Sequence, residues 1–239
     1  EDNNLFIPQT LKLEKKLLKN KEIFDDIILN MIASPNLDSG STSIMGSVWR
    51  LIIKKELILK YNLKFQKDII LSEDLIFCIE ALLKSRKVSI NEGIYYHYVC
   101  NADSATESYN KNFFNIQLNV YKAIESLLKE SDTYKFAEQR MNNRYIYICI
   151  WSIINEISNK NTKSATEKIR EIKRFCKEDK LKMSLKKIDK KEYMLRSKLA
   201  LMAIEHEAGI YLYIYYNMIK KFKNRKNIRG EDSKKFDYK

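Results

Sequence analysis

The sequence predicts a mixed, predominantly α protein. Residues 1–108 should hold a few short strands among helices, and residues 109–239 should be helical throughout. Three observations carry this. Both prolines and three of the five glycines fall before residue 109, and only Gly209 and Gly230 follow. Beyond that point apolar residues recur at helical spacing over long stretches. Short runs rich in β-branched and aromatic residues, bounded by turn formers, are confined to residues 63–100. At 239 residues the chain can bury a sizeable core, as one larger domain or two small ones.

In chain order, residues 1–10 read as a torn edge, in which Leu5-Phe6-Ile7 is ended by Pro8. No apolar leader is visible there, which suits an expressed or trimmed fragment. Residues 11–19 and 21–32 read as amphipathic helices, the second with Ile23, Phe24, Ile27, Ile28 and Met31 on one face. Residues 34–46 gather Pro35, Gly40 and Gly46 into the one clear loop. Trp49 stands at its exit, and a basic, apolar helix is expected over 51–61. Short strands are expected at 63–65 and 68–71. A hairpin should pair 87–91 with 95–100 through Glu92-Gly93.

Between these lies Ser72-Glu73-Asp74, flanked by apolar runs. Ser72 is a good N-cap, so Glu73 and Asp74 should open a helix running to about Lys87. The unpaired amides of a first turn favour ionised carboxylates. An Asp fixed there can take a proton from a substrate hydroxyl; it can equally be an ordinary helix-starting acid. Alternation along Tyr95-Tyr96-His97-Tyr98 sends Tyr96 and Tyr98 to one face, and Tyr95 and His97 to the other.

The second part reads as a striped helix over 112–129 and a very apolar one over 133–159, centred on Tyr145-Ile146-Tyr147-Ile148-Cys149-Ile150-Trp151. An exposed helix over 162–180 follows, capped by Thr162 or Ser164. Residues 182–191 form a basic connector, and a last helix spans 191–223, its apolar run broken by Glu205-His206-Glu207. No uninterrupted run reaches the length of a membrane span, and no repeat is present.

Residues 47–106 present an ordered set of pieces. It runs Val48-Trp49, Lys54-Lys55-Glu56-Leu57, Leu63-Lys64-Phe65, Glu73-Asp74, Val88-Ser89-Ile90, Tyr96-His97-Tyr98 and Ser104-Ala105-Thr106. This set resembles the acceptor-side half of bacterial family 2 glycosyltransferases of the GT-A fold, which build capsule and other surface polysaccharides. The resemblance implies that Asp74 is the general base on an acceptor hydroxyl, with Glu73 helping to hold the site. Trp49, Tyr96, Tyr98 and Ser104 would contact substrate, with Trp49 stacking on a sugar ring and loop 34–46 forming a mobile lip. The plainer alternative is a surface connection beside a core Trp. His97 would reach a metal or diphosphate, or simply sit on a strand face. Two departures stand out. Val99 replaces the basic residue often found after the second Tyr. The nucleotide-binding half, with its D-x-D motif, is also absent.

The resemblance therefore implies Mg or Mn in a full-length enzyme and none bound to this chain, and a nucleotide sugar and a glycan or lipid-linked acceptor as partners. It further implies inversion, and inactivity of this fragment alone. An apolar face left by the missing half would favour a homo-oligomer.

Charge points to a polyanion: 44 Lys and Arg stand against 31 Asp and Glu, a net +13. Residues 220–239 hold nine Lys and Arg and three acids, next to Tyr211, Tyr213, Tyr215 and Tyr216. Tyrosines beside lysines fit residues 199–226 lying in the interface of an anionic cytoplasmic leaflet, or a solvated basic tail after a core helix. No nucleic-acid motif is present. Cys78, Cys100, Cys149 and Cys176 lack C-x-x-C spacing and suit a reducing cytosol. The other reading of the whole is a non-catalytic helical interaction or membrane-docking module.

Overall fold

The computed structural model describes residues 13–96, 108–191 and 193–228, with side chains through 221. Among these the protein is mixed and predominantly α. The only sheet described is a two-stranded antiparallel ribbon, β1 (Leu17–Lys19) and β2 (Lys87–Ser89), with Leu18 opposite Val88. Residues 17–19 were expected to close a helix. Burial decides otherwise. Leu18 is fully buried at the centre of its tripeptide, and tertiary packing overrides local propensity in so short a run. The expected pairing of 87–91 with 95–100 falls on residues 97–100, which lie outside the described residues.

A π-helical segment, Ile23–Ile28, runs directly into α1 (Leu29–Ile32) and buries the apolar face that the spacing marked. After a long loop, the helix expected over 51–61 is only α2 (Lys55–Tyr61), since residues 51–54 are not helical. Residues 63–65 and 68–71 form no strand. Leu63 packs instead with Phe77 and Ala81 in a small satellite cluster, so its apolar character served packing rather than pairing. Helix α3 (Glu73–Leu83) stops short of Lys87, because the chain must turn into β2.

Helices α4 (Phe113–Glu130) and α5 (Tyr134–Glu156) follow the expected stripes closely. Ile146, Ile148 and Ile153 of α5 are fully buried, each worth roughly 1.5–3 kcal/mol of apolar burial. Helix α5 touches α1, α4, α6, α7 and α9, so the rest is built around it. Helix α6 (Ala165–Cys176) starts at Ser164, whose hydroxyl and Glu167 form a reciprocal capping box. The expected connector after it is a helix, α7 (Asp179–Lys187): Leu181, Ser184 and Leu185 share a buried face, and the lysines turn outward. The last segment is two helices, α8 (Leu195–Glu205) and α9 (Gly209–Ile228), with Glu207 between them at φ 55°.

One buried cluster draws on residues from Leu18 to Tyr216, on both sides of residue 108. Cys78, Cys149 and Cys176 are buried free thiols within it. Burial pushes the Cys78 and Cys176 thiols up to about 12, which keeps them inert at neutral pH.

Candidate functional site

The loop leading into the site is fastened rather than loose. One face of α5 presents Arg140, Asn143, Arg144 and Tyr147, spaced i, i+3, i+4 and i+7. Arg140 donates to the Ala33 carbonyl at 3.0 Å, and Arg144 to that of Ile32 at 3.0 Å. Asn143 donates to Ser34 at 3.0 Å and Pro35 at 2.9 Å. The Tyr147 hydroxyl bridges the carbonyls of Leu37, at 2.7 Å, and Gly40. From the other side, Asp38 accepts from the Met194 amide at 2.7 Å and from the Ser197 hydroxyl. The expected mobile lip is thus tied down over residues 32–40. Its Pro and Gly marked a loop, but the donors that hold it sit a hundred residues later. Arg144 is only 2% exposed, and burial lowers its pKa to about 10.

Beyond the clamp the loop meets α3. A Cβ on Gly46 would lie 2.2 Å from Leu75 Cδ1 and 3.2 Å from Leu75 Cα, so any larger residue there would have to displace the Leu75 side chain. The approach delivers buried Ser47, whose hydroxyl bonds the Asp74 side chain. Asp74 Oδ1 also accepts the Leu75 amide at 2.8 Å, satisfying a first-turn donor. Ser72 makes no such side-chain cap and sits in the left-handed region at φ 63°. Ser72 is therefore the N-cap by position, as expected, while a side chain from inside the first turn, Asp74, takes the Leu75 amide. Burial, and then the charge of Glu73, raise the Asp74 carboxyl above its ordinary value, outweighing the pull of the Leu75 and Ser47 bonds. A raised carboxylate is the stronger base once ionised.

Two residues past Ser47, Trp49 stacks on Tyr96 at 4.6 Å and 16°. The Arg50 guanidinium lies 4.8 Å from the Trp49 ring centroid. Trp49 is half-buried, whereas Tyr96 keeps half its surface in solvent. The structure thus bonds Ser47 to Asp74, beside Glu73, and pairs Trp49, two residues further on, with Tyr96. Tyr98, Ser104 and His97 lie outside the described residues. Sequence reasoning missed Gly46, Ser47 and Arg50; the only signal was the small pair Gly46-Ser47 just before Trp49.

A more open groove of about 470 Å³ lies between α3 and α4, where Glu80 faces Glu130, Lys122 and Ser126. None of the predicted site residues lines it. Its two acids repel one another, and burial raises Glu80. It is a cleft without an assembled acid–base pair. Among the described residues no three His, Cys, Asp or Glu converge to hold a metal ion.

Compared with known proteins, the chain is 24% identical over 152 residues to the cholesterol galactosyltransferase of Borreliella burgdorferi. The similarity is to a glycosyltransferase. It covers 59% of this chain and 40% of that galactosyltransferase, so the chain spans less than half of that protein's length. No family model and no solved structure matches.

Proposed function

We propose that these residues are the acceptor-side portion of a GT-A, family 2-like inverting glycosyltransferase that uses a nucleotide-sugar donor. Asp74 is its general base. The observation that supports this best is the placement of Asp74: half-buried on the first turn of α3, bonded by Ser47, with its carboxyl raised by burial, in a chain similar to a glycosyltransferase. In that role the Asp74 carboxylate takes the proton of an acceptor hydroxyl. The freed oxygen attacks the anomeric carbon from the face opposite the nucleotide diphosphate, whose bond to that carbon breaks. Glu73 keeps Asp74 basic by its negative charge. Tyr96, steadied by Trp49, offers the exposed aromatic face on which a sugar ring stacks; Tyr98 and Ser104 belong to the acceptor side by resemblance. The relative's name gives cholesterol as its acceptor, and for this chain the acceptor class is a lipid or a lipid-linked glycan of surface polysaccharide synthesis. Any Mg or Mn of the whole enzyme would draw ligands from beyond the described residues, which gather no three His, Cys, Asp or Glu by themselves.

Transfer assays on a polypeptide carrying these residues, with a panel of nucleotide sugars and a glycolipid extract, test the reading. Asp74→Asn should cost about 10²-fold or more in rate, and rate should rise with pH through an Asp74 value above the ordinary carboxylate range. Equal activity of the variant removes Asp74 from the site. The 239 residues alone should show no transfer, and transfer by them would end the claim that they are a portion. The second reading, a helical docking module, draws on the Leu75 bond, which is what an ordinary helix-starting Asp would make. Absence of transfer with every donor would leave it standing.

A further inference from the structure

Helices α8 and α9 carry their apolar residues on the wrong side as well as the right one. Their inner faces bury Leu201, Ile204, Leu212 and Tyr216. Their outer faces hold Leu195, Leu199 and Met202 at i, i+4 and i+7, and Ile210, Ile214 and Met218 at i, i+4 and i+8. Each of these six side chains is between 43% and 71% exposed. A helix apolar all round is normally covered on both sides, and a stripe repeated on two adjacent helices is more than the scattered exposure of ordinary surfaces.

Charge selects what covers it. Residues 193–228 contain seven Lys and Arg against two acids, Glu205 and Glu207. Both acids are turned to lysines outside the two helices: Glu205 to Lys190 at 2.7 Å, and Glu207 to Lys182 at 3.0 Å. The sequence that carries the exposed stripe is therefore basic, and α9 runs straight from it into exposed Lys221. A second copy of a chain of net +13 would bring like charge against like. An anionic bilayer brings the opposite charge together with an apolar interior. The stacked pair Tyr211 and Tyr215, 5.8 Å apart, adds the amphipathic rings that suit the headgroup level. No described helix is long and apolar enough to cross a membrane, so the fit is to a surface.

We infer that the outer faces of α8 and α9 dock on an anionic membrane surface, with the Leu195–Met202 and Ile210–Met218 stripes entering the headgroup boundary. This surface would hold the protein where a lipid-borne acceptor lies.

Co-sedimentation of the 239-residue chain with vesicles tests this without donor or acceptor, so its failure and the failure of glycosyl transfer are separate results. The chain should bind vesicles of phosphatidylglycerol and phosphatidylcholine in equal parts. Binding should fall about tenfold or more on pure phosphatidylcholine, and likewise on raising salt from about 0.05 M to about 0.5 M. The double variant Leu199→Glu, Ile214→Glu should lose about tenfold or more in binding to the anionic vesicles. Its melting temperature should stay close to the parent's, because both side chains are exposed. No binding of the parent to anionic vesicles overturns the proposal, and so does equal binding by the double variant. Light scattering decides for a second copy as the occupant if the parent dimerises, the double variant does not, and neither binds vesicles.

Discussion

Helices α5 and α9 are written in nearly the same letters and end in opposite situations. The centre of α5 reads Tyr145-Ile146-Tyr147-Ile148-Cys149-Ile150-Trp151, and the start of α9 reads Ile210-Tyr211-Leu212-Tyr213-Ile214-Tyr215-Tyr216. In α5, Tyr145 through Cys149 are all buried; in α9 only Leu212 and Tyr216 of the quoted seven are. Helix α5 is enclosed by α4, α6, α7 and the loop it holds, whereas α9 rests mainly on α6 and α8. An apolar helix therefore states that it will be covered, but not by what. For α5 the cover is the protein itself, and its polar groups are spent on loop carbonyls. For α9 the outer cover has to come from outside the described residues.

The largest contrast to test is packing. Ile148→Ala should destabilise the protein by about 2–4 kcal/mol, lowering Tm by about 5–15 °C for a chain of this size. Ile214→Ala, on the exposed side of α9, should cost under about 1 kcal/mol. Comparable losses in thermal melts would mean that α9 is covered as completely as α5.

A smaller effect should come from the polar face of α5. Tyr147→Phe removes the donor shared by Leu37 and Gly40, at about 1–2 kcal/mol. Amide exchange across residues 33–47 should quicken while the centre of α5 stays protected. Unchanged exchange would show that the clamp does not depend on that hydroxyl.

The smallest expected change concerns Asp74. Its carboxyl is raised in the fold, so its contribution to stability is fully present below the unfolded value of about 3.9 and is lost as pH rises through the folded value. Asp74→Asn stays neutral and can keep an oxygen facing Leu75 and Ser47. It should raise Tm at pH 7 by about 1–2 °C, a small gain because the half-buried charge is partly screened. The gain should vanish below about pH 4. A loss of stability at pH 7 would mean that the ionised carboxylate is held by more than its two hydrogen bonds. A gain in stability beside a loss of transfer is the pattern expected of a site residue rather than a plain helix start.

Much of the helical half was legible because long stripes at a period near 3.6 leave few alternatives. The stripes of α4 and α5 placed both helices within a few residues. Short elements were not legible. Leu17–Lys19 lies in a run spaced like a helix and became a strand because Leu18 found the core. Residues 182–191 looked like basic connector because lysines outnumber Leu181 and Leu185, whose shared face only α5 reveals.

The candidate site divides in the same way. Glu73-Asp74 was visible as a pair of acids at a helix start, and Trp49 and Tyr96 as aromatics in an ordered set. Gly46 and Ser47 carried only the faint signal of two small residues before Trp49, since their roles depend on a loop approaching α3 from elsewhere in the chain.

By itself the sequence determined the apolar stripes, the acids at the head of α3, the basic excess and the absence of a spanning run, because each is a property of neighbouring residues. Tertiary structure alone decided which stripes are covered, that loop 32–40 is clamped by α5, and that burial raises the Asp74 carboxyl. Those outcomes depend on groups brought together from distant positions, and desolvation and hydrogen bonding act only once they meet.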